Sequence, residues 1–312
     1  FGKWAMVTSL FLLSQMILNL GIKSSMVYYF SSFKENKYNL WNLYKKSLIF
    51  LFTSSILGVG VINLFITKIA EAYNKVYIDD FLSIILIAVL PLNIIELHAG
   101  IFKGLRQVIK FSLLESVSTP LFSLLFVLIF YSYNQDFDLV FIAYVISIVI
   151  VSIISVIMLR QSFRKLNLDH GEYVSFKSIL SLSIPMFLTE SLNSILRWVD
   201  VLILGFYCTD LMIGAYNLTV RLTNTITIPL LSINSIAVSK FRELFVKNKL
   251  VELKNVVCQS NKVIFWLGCI PFALLIIGNR MILSFFDEGY SIAYWSLVLL
   301  ALGQLFNVLT GS

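Results

Sequence analysis

Residues 138–160 read DLVFIAYVISIVIVSIISVIMLR, with no charged side chain between Asp138 and Arg160. About 20 consecutive apolar residues are what an α-helix needs to cross the ~30 Å hydrocarbon core of a bilayer. Working outward, eight further segments qualify, giving nine predicted spans near 4–22, 47–70, 81–102, 111–133, 138–160, 178–207, 211–239, 262–280 and 293–312. All five prolines, Pro91, Pro120, Pro185, Pro229 and Pro271, lie inside these segments. Soluble helices exclude interior proline, whereas membrane helices tolerate it because neighbours and Ser/Thr side chains re-satisfy the freed carbonyls. The prolines are therefore candidate bending points, and the pattern predicts an all-α polytopic membrane protein.

Bulk composition agrees. Charged residues are 13% of the 312, about half of what a soluble domain carries, and the mean hydropathy is +0.88. The net charge of +7 sits in short loops between spans, which points to orientation in the bilayer and away from nucleic acid. Loops 23–46, 103–110, 160–177 and 240–262 hold 18 of the 24 Lys and Arg. The opposite side holds only Lys3, Lys68, Lys75 and Arg280, so the 18-residue side is cytoplasmic by the positive-inside rule. The first visible span then runs inward, which predicts a further span before Phe1. Cys208, Cys258 and Cys269 have no paired spacing, so no disulfide framework is expected.

A shift of 212 residues lays Phe1-Gly2-Lys3-Trp4 over Ile213-Gly214-Ala215-Tyr216, and Phe33, Asn36 and Lys37 over Phe245, Asn248 and Lys249. The same shift lays spans 47–70 and 81–102 over 259–282 and 293–314. Six helices per repeat fit this period, both copies running in the same direction. The expected organisation is an N-lobe over 1–165 (helices 2–6, the first helix missing), a cytoplasmic linker over 166–177, and a C-lobe over 178–312 (helices 7–10, C-terminal helices missing).

Two arginines remain inside spans. Glu190, Asn193, Arg197 and Asp200 recur at spacings of 3, 4 and 3, on one helical face, and Asn217, Arg221 and Asn224 repeat the pattern in the next span. Each arginine lies ten residues from the outer end of its span, about 15 Å deep at 1.5 Å per residue. Intramembrane charge marks a functional site by default, and guanidinium binds phosphate bidentately while staying charged. The pair reads as an anion site. The alternative is a static tie, with Arg197 paired to Asp200 or Glu190.

Elsewhere, Glu96, His98 and Glu115 lie near Lys103, Arg106 and Lys110, which predicts local pairing at the interface. No carboxylate–histidine cluster suggests a metal. Tyr28, Tyr29, Phe30, Trp41 and Tyr44 read as an interfacial aromatic belt. Residues 240–258 read as an amphipathic helix lying on the inner leaflet. No GxxxxGK[ST], GxSxG or HExxH motif occurs, so neither a cofactor nor enzymatic activity is expected.

Phe1-Gly2-Lys3-Trp4 followed by Leu20-Gly21-Ile22 resembles the YG…LGL opening of the second helix of polysaccharide flippases. These are the O-antigen and exopolysaccharide transporters of the multidrug/oligosaccharidyl-lipid/polysaccharide exporter superfamily. Ile101-Phe102-Lys103-Gly104-Leu105-Arg106 resembles their exit from helix 4. Ser183-Ile184-Pro185, Asp200, Ile203-Leu204-Gly205 and Ile213-Gly214-Ala215-Tyr216-Asn217 resemble their helix 7 and 8 signature. One departure is Tyr28-Tyr29-Phe30, where many relatives carry an arginine near the end of the second helix.

The resemblance implies a two-lobe, MATE-like bundle in a bacterial cytoplasmic membrane. It would flip a polyprenyl-pyrophosphate-linked oligosaccharide by alternating access. It further implies that Arg197 and Arg221 bind the pyrophosphate or an acidic sugar, with Asn193, Asn217 and Asn224 as sugar contacts. Glu190 and Asp200 are the candidate ion-coupling residues, for H⁺ or Na⁺. Membrane lipids and other polysaccharide-assembly proteins are the expected partners. The alternatives are a cation-coupled drug or metabolite exporter of the same superfamily, which would favour acidic cavity residues, and a membrane enzyme of polysaccharide assembly, which would need a long outer loop.

Overall fold

The computed structural model describes residues 1–32, 38–133, 137–164, 171–247 and 249–310. Among them there is no strand, only an isolated bridge between Tyr38 and Glu172. The chain is an all-α polytopic membrane protein. Six helices are long and apolar enough to cross a membrane, and two bent pairs raise the number to as many as eight.

Contacts divide the chain into two compact units, Met6–Phe206 and Phe1–Ala5 with Tyr207–Ser312. The predicted linker over 166–177 lies partly outside the described residues, as do Phe33, Asn36, Lys37 and Asn248 of the repeat. Shifted by 212, the long helix Leu40–Ala72 overlaps Leu250–Ile277.

In the larger unit, α1 (Gly2–Asn19) and α2 (Ile22–Ser31) form the first bent span, at 50°. Sequence reasoning places residues 23–31 in a loop, but they are helical. The break is made without proline. Leu20 and Gly21 are successive left-handed residues, at φ 47° and 71°. Glycine is relaxed there, and at Gly21 a Cβ would also lie 2.7 Å from the Ser183 carbonyl oxygen, so only glycine fits. α3 (Leu40–Ala72) is capped by Asn39, whose side chain accepts from Asn42 N–H at 2.9 Å. Its 33 residues span about 50 Å, so it projects beyond the hydrocarbon.

The second bent pair, α4 (Tyr77–Leu86) and α5 (Val89–Gly104), turns by 46° four residues before Pro91, where the ring rejects the preceding turn. Gly100 and Gly104, one turn apart, let α2 pack tightly on α5. A Cβ at Gly100 would lie 2.6 Å from the Lys23 carbonyl, and one at Gly104 2.7 Å from Phe30 Cβ. A π turn, Leu113–Val117, follows the short α6 (Val108–Ser112) and precedes Pro120 in α7 (Ser118–Tyr133). α8 (Leu139–Phe163) is the helix legible in the opening stretch, and α9 (Phe176–Tyr207) runs unbroken through Pro185.

The expected aromatic belt is partly internal. Tyr29 and Phe30 are buried, and Phe30, Trp41 and Tyr44 all contact the Phe163 ring, whereas Tyr28 and Trp41 are exposed. Large side chains such as Leu57, Leu64 and Leu124 stand fully outward, as lipid-facing surfaces require.

The smaller unit corrects the seventh predicted span. Residues 211–239 form α10 (Asp210–Thr223), a 3₁₀ turn Asn224–Thr227, and α11 (Ile228–Val246). Pro229 cannot donate to the Thr225 carbonyl four residues earlier, and the Thr225 and Thr227 hydroxyls bond to the Leu222 and Asn224 carbonyls instead. Apolar content alone cannot reveal that break. α12 (Leu250–Ile277) passes straight through Pro271, and α13 (Asn279–Phe286) and α14 (Tyr294–Thr310) complete the unit. Its core gathers Leu218, Ile226, Ile264, Leu297, Ala301 and Val308.

The surface helix expected over 240–258 is instead divided between α11 and α12. The Lys249 N–H closes back onto the Leu244 carbonyl at 3.0 Å, ending α11, and part of this segment lies outside the described residues.

Candidate functional site

α9 carries Glu190, Asn193, Arg197 and Asp200 in the larger unit, and α10 with its 3₁₀ turn carries Asn217, Arg221 and Asn224 in the smaller one. Asn193, Arg197, Arg221 and Asn224 are exposed, while Asn217 is buried. Arg197 Nη2 donates to Ser194 Oγ at 2.8 Å, and among the described residues Arg197 makes no ion pair. The static ties weighed for it are therefore not formed. Glu190 instead accepts from Ser24 Oγ of α2, and the Asp200 carboxylate accepts from the Val201 N–H at 2.8 Å.

Asn217 and Arg221 are brought together, the arginine Nε donating to Asn217 Oδ1 at 3.0 Å, and the guanidinium stacks over the Phe1 ring at 5.5 Å. Four residues on one helix face set that bond, which fixes the fork's direction while leaving its two terminal nitrogens to other partners. Asn193 Nδ2 is turned to its own helix, donating to the Thr189 carbonyl at 3.1 Å. Asn224 Oδ1 accepts from Gln304 Nε2 at 3.4 Å.

A polar network inside the larger unit was missed by sequence reasoning. Asn93 of α5, wholly buried, accepts from Gln15 at 2.7 Å and Asn19 at 3.1 Å, and donates to Ser55 of α3 at 3.0 Å. Asn19 also reaches Glu96 at 3.3 Å. One turn further along, Lys23 forms an ion pair with Glu115 at 2.9 Å, and Glu96 and Glu190 both lie within electrostatic reach of its ammonium. Lys23 thus faces three carboxylates from α5, the π turn and α9.

The expected interfacial pairing of Glu115 with Lys103, Arg106 or Lys110 is corrected. Its partner comes from 92 residues away, because the α1–α2 bend swings Lys23 across α5. Part of the signal was present in the sequence: Gln15 and Asn19 lie four residues apart and so share one face of α1. His98 is also internal, its two ring nitrogens meeting Ser155 at 2.7 Å and Tyr44 at 3.2 Å. Among the described residues no group of three His, Cys, Asp or Glu side chains could hold a metal ion.

Comparison with curated proteins and with solved structures gave no match. A family model described as "Polysaccharide biosynthesis protein" matches residues 1–239, more than three-quarters of the chain, and with it agree the several membrane-crossing helices and the motifs at Gly21, Gly104 and Pro185. The chain therefore belongs to this polysaccharide biosynthesis/flippase family of the multidrug/oligosaccharidyl-lipid/polysaccharide exporter superfamily, as a multi-pass membrane protein and a polysaccharide-related transporter.

Proposed function

We propose that the protein flips a polyprenyl-pyrophosphate-linked oligosaccharide, an O-antigen or capsule repeat unit, across the bacterial cytoplasmic membrane by alternating access. The observation that carries this reading is Arg197. It stands exposed in the middle of a 32-residue apolar helix with a serine hydroxyl as its bonded partner and no ion pair among the described residues. A guanidinium in that setting keeps donors for an anionic cargo, and a pyrophosphate offers the oxygens to match them. In the smaller unit Arg221, aimed by Asn217, is a further candidate cation for the cargo's anionic groups, and Asn193 and Asn224, each in its own unit, are candidate sugar contacts. The protein acts as a transporter and not as an enzyme, alongside other polysaccharide-assembly proteins.

For energy coupling, H⁺ or Na⁺ exchange would act through Glu190, which already engages Ser24 on another helix, with Asp200 as the second candidate. A cation-coupled exporter of drugs or metabolites is the second reading. The three carboxylates around Lys23 favour it, since together they outnumber the one cation they surround.

Complementation of a flippase-deficient strain tests the proposal. Arg197→Ala and Arg221→Ala are expected to abolish surface glycan at normal protein levels. Normal glycan from both variants would overturn the anion-site reading.

A further inference from the structure

At the cytoplasmic ends of α5 and α8 an open cavity of about 730 Å³ is lined by Arg106, Gln107, Lys110, Gln161 and Ser162, with Val108 and Ile109. Residues 103–110 and 160–164 carry five cations, Lys103, Arg106, Lys110, Arg160 and Arg164, and no acid. Two of the lysines are held in place. Lys110 Nζ donates to Ser162 Oγ at 2.6 Å with its ammonium over the Phe102 ring, and Lys103 lies over Phe111.

Arg106 is different. It is exposed and has no side-chain partner among the described residues. Its backbone sits at φ 59°, where glycine would be relaxed, closing α5 with the Gln107 N–H on the Phe102 carbonyl at 2.9 Å. A charged residue kept in a strained position at a cavity mouth points to a ligand for that charge.

The cavity has an apolar continuation. Ile109, Leu113, Val117, Leu121, Leu124 and Leu128 are all exposed and recur every three or four residues, making a track from the cavity mouth into the lipid-facing side of α7. A free anion would have no use for that track, whereas acyl chains would.

We propose that this cavity binds the phosphate headgroup of an anionic phospholipid of the inner leaflet, with Arg106 and Lys110 on the phosphate and the α7 track along an acyl chain. The cytoplasmic leaflet is the anionic one, and basic pockets between helix ends suit such headgroups. The inference does not rest on the transport reading, because lipid binding is measured without glycan.

The test uses the intact purified protein, titrated with phosphatidylglycerol and with phosphatidylcholine and read by native mass spectrometry. Phosphatidylglycerol is expected to bind more tightly, and Arg106→Gly to weaken it about fivefold, the effect of one interfacial cation. Because glycine relaxes the backbone, Arg106→Gly should melt no lower than wild type, so its weaker binding cannot come from misfolding. Ile109→Ser with Leu113→Ser is expected to weaken the lipid but not inorganic phosphate. Equal binding of both lipids, an Arg106→Gly variant that binds normally, or full displacement by millimolar inorganic phosphate would each overturn the proposal.

Discussion

Asn93→Leu is the perturbation that most directly tests the buried network, since the shapes match and only hydrogen bonding is removed. Asn93 is fully buried and makes three side-chain bonds, to Gln15, Asn19 and Ser55, which tie α1, α3 and α5 together. Interhelical hydrogen bonds in membrane proteins average about 0.6 kcal/mol each, so three give a floor of about 2 kcal/mol. A donor left buried and unsatisfied costs about 1–3 kcal/mol. Asn19 can fall back on Glu96, which lies 3.3 Å away, so the full orphan penalty does not fall on every partner. The expected loss is therefore about 2–4 kcal/mol.

The assay is reversible unfolding of the purified protein in mixed micelles, with Gln15→Leu and the double variant measured alongside. Gln15→Leu removes one of the groups that Asn93→Leu strands, so the double variant should cost less than the two single changes added, by about 0.5–1.5 kcal/mol. A single-variant loss below about 0.5 kcal/mol, or strict additivity in the double, would show that the network is not a structural tie.

Two further outcomes are expected. Gly100→Ala should destabilise by about 1–3 kcal/mol in the same assay, because its Cβ would lie 2.6 Å from the backbone carbonyl of Lys23. Gly303→Ala, with nothing within 4 Å, should be neutral or stabilising, and equal effects at both positions would refute the close-packing account of α2 on α5. Lys23→Met should lower the melting temperature, since it leaves three carboxylates without their cation, though Glu115 at 36% side-chain exposure is partly relieved by water. Adding Glu115→Gln should restore part of that loss, and a further drop would show that the charge cluster is not what Lys23 balances.

The spans were legible because hydrocarbon imposes a simple demand, about 20 apolar residues per crossing, and α8 meets it with little else in its composition. Breaks within spans were less legible. Proline marks a lost donor, not a bend. α9 and α12 absorb Pro185 and Pro271, while Pro91, Pro120 and Pro229 each follow a departure from α-helix. The sharper of the two bent spans, at Leu20–Gly21, needs no proline at all. It comes from two left-handed residues that composition cannot distinguish from ordinary apolar helix. Once residues 23–31 are read as a loop, Lys23 is lost to the charge count of the cytoplasmic side, and its link to Glu115 becomes invisible. The four-residue spacing of Gln15 and Asn19 was the available clue to the buried network, because polar side chains on one face of an apolar helix have to face protein.

Arg197 shows where sequence stops and geometry begins. An arginine at the centre of a spanning helix costs on the order of 2.5–3.5 kcal/mol on insertion scales, and an acid one turn away on the same face is the cheapest way to offset it. The sequence supplies one such acid, Asp200, three residues on, and a second, Glu190, two turns back on the same face, so periodicity alone leaves both a static tie and an anion site open. In the structure neither tie is formed. Glu190 turns to Ser24 and the Lys23 cluster, the Asp200 carboxylate accepts from the adjacent Val201 N–H, and Arg197 donates to a neutral serine. If its role were to hold helices together, the counter-charges within reach would be the partners, and they are engaged elsewhere. Arg197→Lys sharpens the distinction: it keeps the charge but loses the planar fork. Partial glycan export from the lysine variant would mean that charge suffices, whereas loss equal to that of alanine would mean that two parallel hydrogen bonds to the cargo are required.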